Sequence, residues 1–329
     1  MYIFSFLAAK ISLLCLPLVL GTSAAFAQTG KVRMGMPSYS LVVLAPLVAQ
    51  AKGFFHAEGL EVELIRMATP ITVIALINRD IDYSTAIAGA LRNAIKGLPV
   101  KMVMSFYRAP LHVLNAKQEF GSVQELKGKV VGIAGFGDAT AVMLRAMLER
   151  AKMDMERDVK VIQVPGSEPR FYSLISGTID AAVLSPPFNL QAEAKGFRRL
   201  MAAADVMEAS LTTGLSVSLD KLEGNPREVK RMTRALLKAQ AFIRDNKSET
   251  VKIISSRLKL DRVIAEGSYD LYARAMSPDG LVREGVLESD IEGIRRELQI
   301  KEKVAITKVA DLTLLREALN EMKLIPSSP

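Results

Sequence analysis

The apolar residues along the chain change repeatedly between two periods. In LEVELIR (60–66) apolar and polar residues alternate, which is typical of a β-strand with one buried face. In ATAVMLRAMLERAK (139–152) apolar residues recur every three to four positions, which is typical of an amphipathic helix. The predicted strands are 31–36, 60–66, a short one near Tyr83, 100–106, 129–134, 159–164 and 180–184. The predicted helices between them are 42–53, 70–78, 86–97, 139–152, 169–177 and 188–195. This alternation predicts an α/β fold with mainly parallel sheets flanked by helices.

Two extended segments, 111–116 and 212–218, interrupt the alternation. A second set of strands and helices begins after the first segment, and a helical C-terminal part follows the second. We expect both segments to be hinge strands that cross between two lobes. The predicted division is lobe I at 28–110 and 219–329, and lobe II at 117–211. The predicted C-terminal helices are 226–246, 248–257, 261–273, 284–299 and 313–323. Two such lobes would enclose a ligand cleft at the carboxyl ends of their strands.

The N-terminal segment 1–27 has the arrangement of an export signal. Its one charge, Lys10, precedes a short apolar run, and Ala25-Phe26-Ala27 forms an A-x-A cleavage site. The alternative is an uncleaved anchor, since the residues before Lys10 are also apolar. Cleavage after Ala27 would remove Cys15, the single cysteine of the chain. We therefore expect a periplasmic protein, without a disulfide or a thiol nucleophile.

Charge and chemistry exclude several classes of function. The net charge is +8, but the 43 lysines and arginines are scattered, so no nucleic-acid surface is predicted. One cysteine and two histidines are too few for a typical structural zinc site. Neither His56 nor His112 has neighbours in sequence that would make it catalytic. GIAGFG (132–137) lacks the G-x-G-x-x-G spacing of a dinucleotide site, so no cofactor is predicted.

Several segments together resemble a known family. They are YSLVVLAPLVAQAKGFFHAEGLEVELI (39–65), RDIDYSTA (79–86), ELKGKVVGIAGFGDAT (125–140), LISGTIDAAVLSPPF (174–188) and NPREVKRMTRALLKAQAFIRDN (225–246). In this order they resemble ABC-transporter substrate-binding proteins of the aliphatic-sulfonate, nitrate and thiamine-pyrimidine-precursor type. The resemblance implies a two-lobed type II periplasmic-binding-protein fold. It also implies a small-molecule ligand, no enzymatic activity, and delivery to an ABC permease with its ATPase. We expect a monomer.

Two other functions remain open on the sequence. The protein could be a ligand-sensing subunit for a membrane receptor, which a neighbouring histidine-kinase gene would support. It could also be an enzyme, because thiamine-pyrimidine synthases resemble this family. Those enzymes need a cysteine-rich iron motif and a reactive histidine, and the chain without segment 1–27 has no cysteine.

The loops that follow the predicted strands supply the candidate ligand contacts. They are Ser38, Tyr39, Thr85, Ala86, Tyr107, Arg108, Phe136, Gly137, Asp138, Ala139, Thr140, Ser185, Pro186 and Phe188. The helix start near 138–140 would favour an acceptor or anionic ligand atom. Asp138 could face the ligand or only cap its helix. Arg108 and Arg170 could meet a ligand anion or pair with surface acids.

The aromatic residues among these candidates suggest the body of the ligand. Tyr39, Tyr107, Phe136 and Phe188 would form walls for an apolar or aromatic molecule, which suits an organic ligand better than a bare inorganic anion. Tyr39 and Phe188 could instead fill gaps between helix and sheet.

Overall fold

The computed structural model describes residues 31–209 and 211–323. The predicted signal segment and its cleavage site lie outside the described residues. The strands are β1 (Lys31–Met36), β2 (Glu61–Arg66), β3 (Tyr83–Ser84), β4 (Val100–Ser105), β5 (Val113–Ala116), β6 (Val130–Ile133), β7 (Lys160–Gln163), β8 (Ala181–Leu184), β9 (Arg198–Ala202) and β10 (Gly214–Ser218). The helices in the first half are α1 (Leu44–Ala51), α2 (Phe54–Ala57), α3 (Thr69–Ile77), α4 (Ile87–Ile95), α5 (Ala139–Arg150), α6 (Ser167–Ile175) and α7 (Phe188–Ala194). The later helices are α8 (Leu219–Gly224), α9 (Pro226–Asp245), α10 (Lys247–Leu258), α11 (Arg262–Ala275), α12 (Glu284–Glu297), α13 (Ile306–Val309) and α14 (Thr313–Glu321).

The described strands form two five-stranded sheets. The first has the order β2-β1-β3-β10-β4, and the second has the order β7-β6-β8-β5-β9. Strand β10 runs antiparallel to both of its neighbours in the first sheet, as β5 does in the second. The remaining strands of each sheet share one direction. The predicted α/β architecture with mainly parallel sheets is therefore confirmed.

Buried apolar residues cover both faces of each sheet. On the first sheet, α1, α9, α10, α11 and α14 pack on one face, and α3, α4, α12 and α13 pack on the other. On the second sheet, α5 packs on one face, and α6 and α7 pack on the other. We call these units the first lobe and the second lobe. Because each lobe is a three-layer unit with its own core, the edges at which the strands end remain available for a site.

The chain passes between the lobes twice. It leaves the first sheet at Ser105 and joins the second at Val113, and it leaves β9 at Ala202 and returns at Gly214. The segments 111–116 and 212–218 are thus largely strands inside the sheets, and the passages lie just before them. The backbone amide of Leu211, in the second passage, donates to Asp290 Oδ2 at 3.2 Å, which ties that passage to α12.

The sequence pattern missed some short elements. Strand β9, RRLMA, lies at the sheet edge and pairs only with β5, so two of its positions are exposed arginines. Helix α8 has 6 residues, too few for a period to be recognised, and begins where Ser218 Oγ accepts from Lys221 N. The helix predicted at 42–53 begins as a 3₁₀ turn at Leu41–Val43 and ends before Gly53, whose φ is +71°.

No helix in 31–209 or 211–323 combines the length and the apolar character that a membrane crossing needs.

Candidate functional site

A cavity of about 550 Å³ lies between the two lobes. Residues that directly follow parallel strands line it from both sides. They are Pro37 and Ser38 after β1, Ala134 and Gly135 after β6, Pro165 after β7 and Ser185 after β8. Helices α3 and α4 add further wall residues from the first lobe. The cavity thus occupies the position at which open α/β sheets bind ligands.

Many of the residues predicted from the sequence lie on the wall of this cavity. They are Ser38, Ala86, Phe136, Gly137, Asp138, Ala139, Thr140 and Ser185. Their contact with a ligand remains a prediction.

Two aromatic residues predicted as walls lie inside the lobes instead. The buried Tyr107 hydroxyl donates to Leu41 O at 2.6 Å, and the Tyr107 ring meets the edge of Tyr272 at a centroid distance of 5.3 Å. Phe188 packs on Phe171 at a centroid distance of 5.7 Å. Both side chains are packing residues that do not line the cavity.

Four other candidates are also absent from the cavity wall: Tyr39, Thr85, Arg108 and Pro186. The Tyr39 hydroxyl donates to Leu64 O at 3.4 Å, and the buried Thr85 hydroxyl donates to Gly35 O at 3.4 Å. Arg108 forms an ion pair with Asp279 at 3.1 Å, which is the surface pairing that the sequence left open. Among the aromatic candidates, only Phe136 keeps the predicted place on the wall.

Asp138 lies on the wall and also caps helix α5. Its Oδ1 accepts from the Thr140 backbone amide at 2.9 Å, which is the geometry of a helix N-cap. The Thr140 hydroxyl in turn accepts from Ala134 N at 2.8 Å, so the loop between β6 and α5 is held by two side chains. The structure therefore shows the capping role of Asp138.

Arg170 supplies a buried cation to the cavity. Its side chain is 2% exposed, and it donates to Val183 O at 3.0 Å, Val164 O at 2.9 Å and Ser167 Oγ at 3.3 Å. All three acceptors are neutral, and no described carboxylate lies within ion-pair distance of the guanidinium. Burial lowers the pKa of Arg170 to about 10, with a smaller opposing effect of Asp138, so the side chain is still charged at pH 7.

The aliphatic part of Arg170 packs beside Gly132 of β6. A Cβ on Gly132 would lie 3.7 Å from Arg170 Cδ and 2.8 Å from Ile179 Cδ1. The absence of a side chain at Gly132 therefore makes room for Ile179, and the Arg170 side chain packs beside the same position at ordinary contact distance.

Several polar residues on the wall were not predicted, among them His112 and Arg92. His112, dismissed from the sequence as an isolated histidine, lies at the end of the first passage and lines the cavity. Arg92, on α4, lines it as well and pairs with Glu297 at 2.7 Å. A Cβ on Gly137 would lie 3.2 Å from Arg92 Cδ, so Gly137 lets the first-lobe arginine rest on the second-lobe loop.

The lobes also touch directly beside the cavity. Ser185 Oγ donates to Ser40 Oγ at 3.2 Å, and Leu41 N donates to Pro186 O at 2.9 Å. Arg66 and Glu168 form an ion pair across the cleft at 3.1 Å. The surfaces that bound the cavity are thus in contact in this conformation.

Two α/β lobes, joined by two passages and enclosing a cavity at their strand ends, define the two-lobed periplasmic-binding-protein fold. The chain belongs to the NMT1/THI5-like family, whose model matches residues 42–250. This result confirms the resemblance that the sequence segments indicated.

Individual proteins agree with this assignment. The chain is 28% identical over 267 residues to a protein of Brucella abortus (strain 2308) that is named as a binding protein, and the match covers 80% of this chain and 81% of that protein. Among solved structures, the periplasmic nitrate-binding protein NrtA from Synechocystis PCC 6803 has a TM-score of 0.75 at 16% identity, covering 92% of both chains. The alkanesulfonate-binding protein SsuA from Xanthomonas axonopodis pv. citri, bound to MOPS, has a TM-score of 0.71 at 16% identity, covering 89% of this chain and 98% of that one.

An enzyme shares the fold as well. The desulfurization enzyme DSZB has a TM-score of 0.64 at 16% identity, covering 89% of this chain and 99% of that chain. The fold alone therefore does not separate binding from catalysis.

Proposed function

We propose that this protein is the solute-binding component of an ABC importer and that it captures a small organic acid between its lobes. The observation that supports an acidic ligand is the buried side chain of Arg170 on the cavity wall. A buried guanidinium bonded only to neutral groups costs free energy, and an anionic ligand in the cavity would offset that cost. The nitrate and alkanesulfonate named for two structural neighbours are also anions, which supports the proposal.

The other charges on the wall favour the same ligand. Arg92 of α4 and Lys96, which directly follows α4, line the cavity, and Asp138 is the one acidic residue on the described wall. Although Glu297 compensates Arg92, the formal charges of the described wall residues are positive in sum, which would raise the local concentration of anions.

The rest of the wall suits an apolar body. Val42, Val73, Ile74 and Ile77 line the cavity from the first lobe, and Phe136 faces them from the second. The volume of about 550 Å³ falls in the range of small-molecule sites. The apolar wall is therefore mainly aliphatic, in place of the aromatic walls that the sequence suggested.

We further propose that the protein binds its ligand without changing it. The cavity wall described here contains no cysteine, and the Nδ1 atom of His112, its one histidine, has no hydrogen-bonded carboxylate that would orient the ring as a base. Export to the periplasm, a monomeric state and docking to an ABC permease with its ATPase belong to the same proposal. A sensory role for the ligand-bound form is the alternative.

A thermal-shift panel tests the proposed ligand class. We expect 3-phenylpropanoate, 4-methylpentanoate or the corresponding sulfonates to raise Tm, because ligands of the folded state stabilise it. At 100 times Kd the gain is about 2.7 kcal/mol, or roughly 5 °C for a chain of this size. The matched control is the amide of each acid, which has no charge. Equal shifts by acids and amides, or no shift by any acid, would contradict the acidic ligand, and a changed mass of the recovered probe would contradict simple binding.

Closure of the lobes gives a second prediction. We propose that lobe I (28–110 and 219–329) and lobe II (117–211) move relative to each other. The movement takes place at the two passages between the sheets. Small-angle scattering at saturation with the best acid of the panel should give a smaller radius of gyration than the unliganded protein. An identical radius with and without ligand would count against a hinge.

A further inference from the structure

Two side-chain atoms on the cavity wall have no hydrogen-bond partner. They are Ser38 Oγ and His112 Nδ1, on residues that are 5% and 7% exposed. Buried polar atoms are nearly always paired, because an unpaired one loses its bonds to water without replacement. Other unpaired groups, such as the side-chain amide of Asn189 on α7, do not line the cavity. Ser38 and His112 differ from them because both residues line the cavity.

The sheet register brings these two residues close to Arg170. Val113 pairs with Leu184 across β5 and β8, which sets His112 beside Ser185. Arg170 Nε donates to Val183 O, two residues before Ser185. Ser185 Oγ reaches Ser40 in the first lobe, two residues after Ser38. His112 and Arg170 therefore lie near each other on the wall, close enough for the charge of Arg170 to act on the imidazole, and Ser38 lines the same cavity from the first lobe.

His112 acts there as a neutral group. Burial, and then the positive charge of Arg170, lower the pKa of His112 to about 4, with a smaller opposing effect of Asp138. At pH 7 a neutral imidazole offers one donor and one acceptor, and the Ser38 hydroxyl can act as either. Both groups therefore match a neutral, hydrogen-bonding part of a ligand.

We propose that Ser38 and His112 form a subsite for a hydroxyl or keto group adjacent to the acid group that Arg170 binds. The inference rests on the proposed function and narrows its ligand to a 2-hydroxy or 2-oxo acid with an apolar body. Arg170 holds the acid group, and Ser38 and His112 hold the neighbouring oxygen. The aliphatic wall then takes the remainder of the molecule.

Matched acids test this subsite by calorimetry. The probes are 3-phenyllactate and phenylpyruvate against 3-phenylpropanoate, and 2-hydroxy-4-methylpentanoate against 4-methylpentanoate. At least one hydroxy or oxo acid should bind about tenfold tighter than its partner, since the partner leaves the polar atoms unpaired. Equal affinities within every pair would overturn the subsite and leave the acid-binding function standing. Failure of every acid to bind would overturn both.

Variants separate a ligand contact from a packing role. Ser38→Ala and His112→Leu should each remove about a tenfold preference for the hydroxy or oxo acid and leave the affinity of the partner acid within about twofold. Their unliganded Tm should be unchanged or higher, because each change deletes an unpaired buried polar atom. The control is His56→Gln, an exposed residue on α2 outside the cavity. A preference that survives both variants would contradict the subsite.

Because the chain has only two histidines, the response of the His112 imidazole to a ligand can be observed directly by nuclear magnetic resonance. In a long-range proton–nitrogen spectrum, His56→Gln assigns the remaining imidazole to His112. The tighter acid of a pair should shift the His112 nitrogen signals, whereas its partner should shift them much less. Unchanged His112 signals at saturation with the tighter acid would overturn the role of this residue.

Discussion

Replacing Arg170 with methionine will weaken the binding of acidic ligands by about 100-fold or more. Truncating one partner of a buried charge pair typically costs about 2–5 kcal/mol of binding free energy, because the other charge is then left without compensation. The best acid of the thermal-shift panel, titrated calorimetrically into the variant, measures the loss. Arg170→Lys should bind with intermediate affinity, since it keeps the charge but not the fork of donors.

Two controls make this result interpretable. Arg108→Gln removes a guanidinium that pairs with Asp279 and does not line the cavity, so it should bind the acid normally. Circular dichroism must show that Arg170→Met is folded, because Val183 O and Val164 O lose their donor, at a cost of about 1–3 kcal/mol each. A folded Arg170→Met variant with unchanged affinity would contradict the proposed ligand class.

Replacing Gly214 with alanine will give the largest loss of stability that we expect from one added methyl group. A Cβ at this position would lie 2.0 Å from Met104 O and 2.9 Å from Ser105 Cα. Both atoms are backbone, so β10 must move away from β4 where Gly214 pairs with Ser105. We expect a loss of about 3 kcal/mol in the free energy of unfolding, measured by urea titration.

Gly224 is the matched control for this substitution. It lies at the end of α8, and a Cβ there would meet no atom within 4 Å. Gly224→Ala should therefore leave stability unchanged or raise it by up to about 1 kcal/mol, since alanine restricts the unfolded chain. If Gly214→Ala were as stable as Gly224→Ala, the close approach of β10 to β4 would not be a constraint on this fold.

The sequence predicted which strands, helices and loops form this site better than it predicted which side chains line the cavity. Periods of two and three to four residues identified β1, β2, β4, β6 and most of the long helices, and the loops after β1, β6 and β8 were placed at the cleft. The cap at Asp138 was also readable, because N-caps depend on residues adjacent in sequence.

Side-chain directions depend on contacts between distant segments. Phe188 follows a strand and was expected to face the cleft, but Phe171 of α6 offers it an apolar contact inside the lobe. The guanidinium of Arg170 is held by the carbonyl oxygens of Val183 and Val164, and His112 lies beside Ser185 because β5 pairs with β8. None of these pairings leaves a periodic signal in the sequence.

A chain of hydroxyl groups connects the buried arginine to the opposite lobe. Ser167 Oγ accepts from Arg170 Nη2 at 3.3 Å and from Ser185 N at 3.0 Å, so its own proton must go to Ser185 Oγ at 2.9 Å. Ser185 then donates to Ser40 at 3.2 Å, across the boundary between the lobes. The direction of proton donation is thus fixed from Arg170 to the point at which the lobes touch. By linkage, a ligand that binds only the closed form must strengthen this contact between the lobes by the same factor by which the contact strengthens ligand binding.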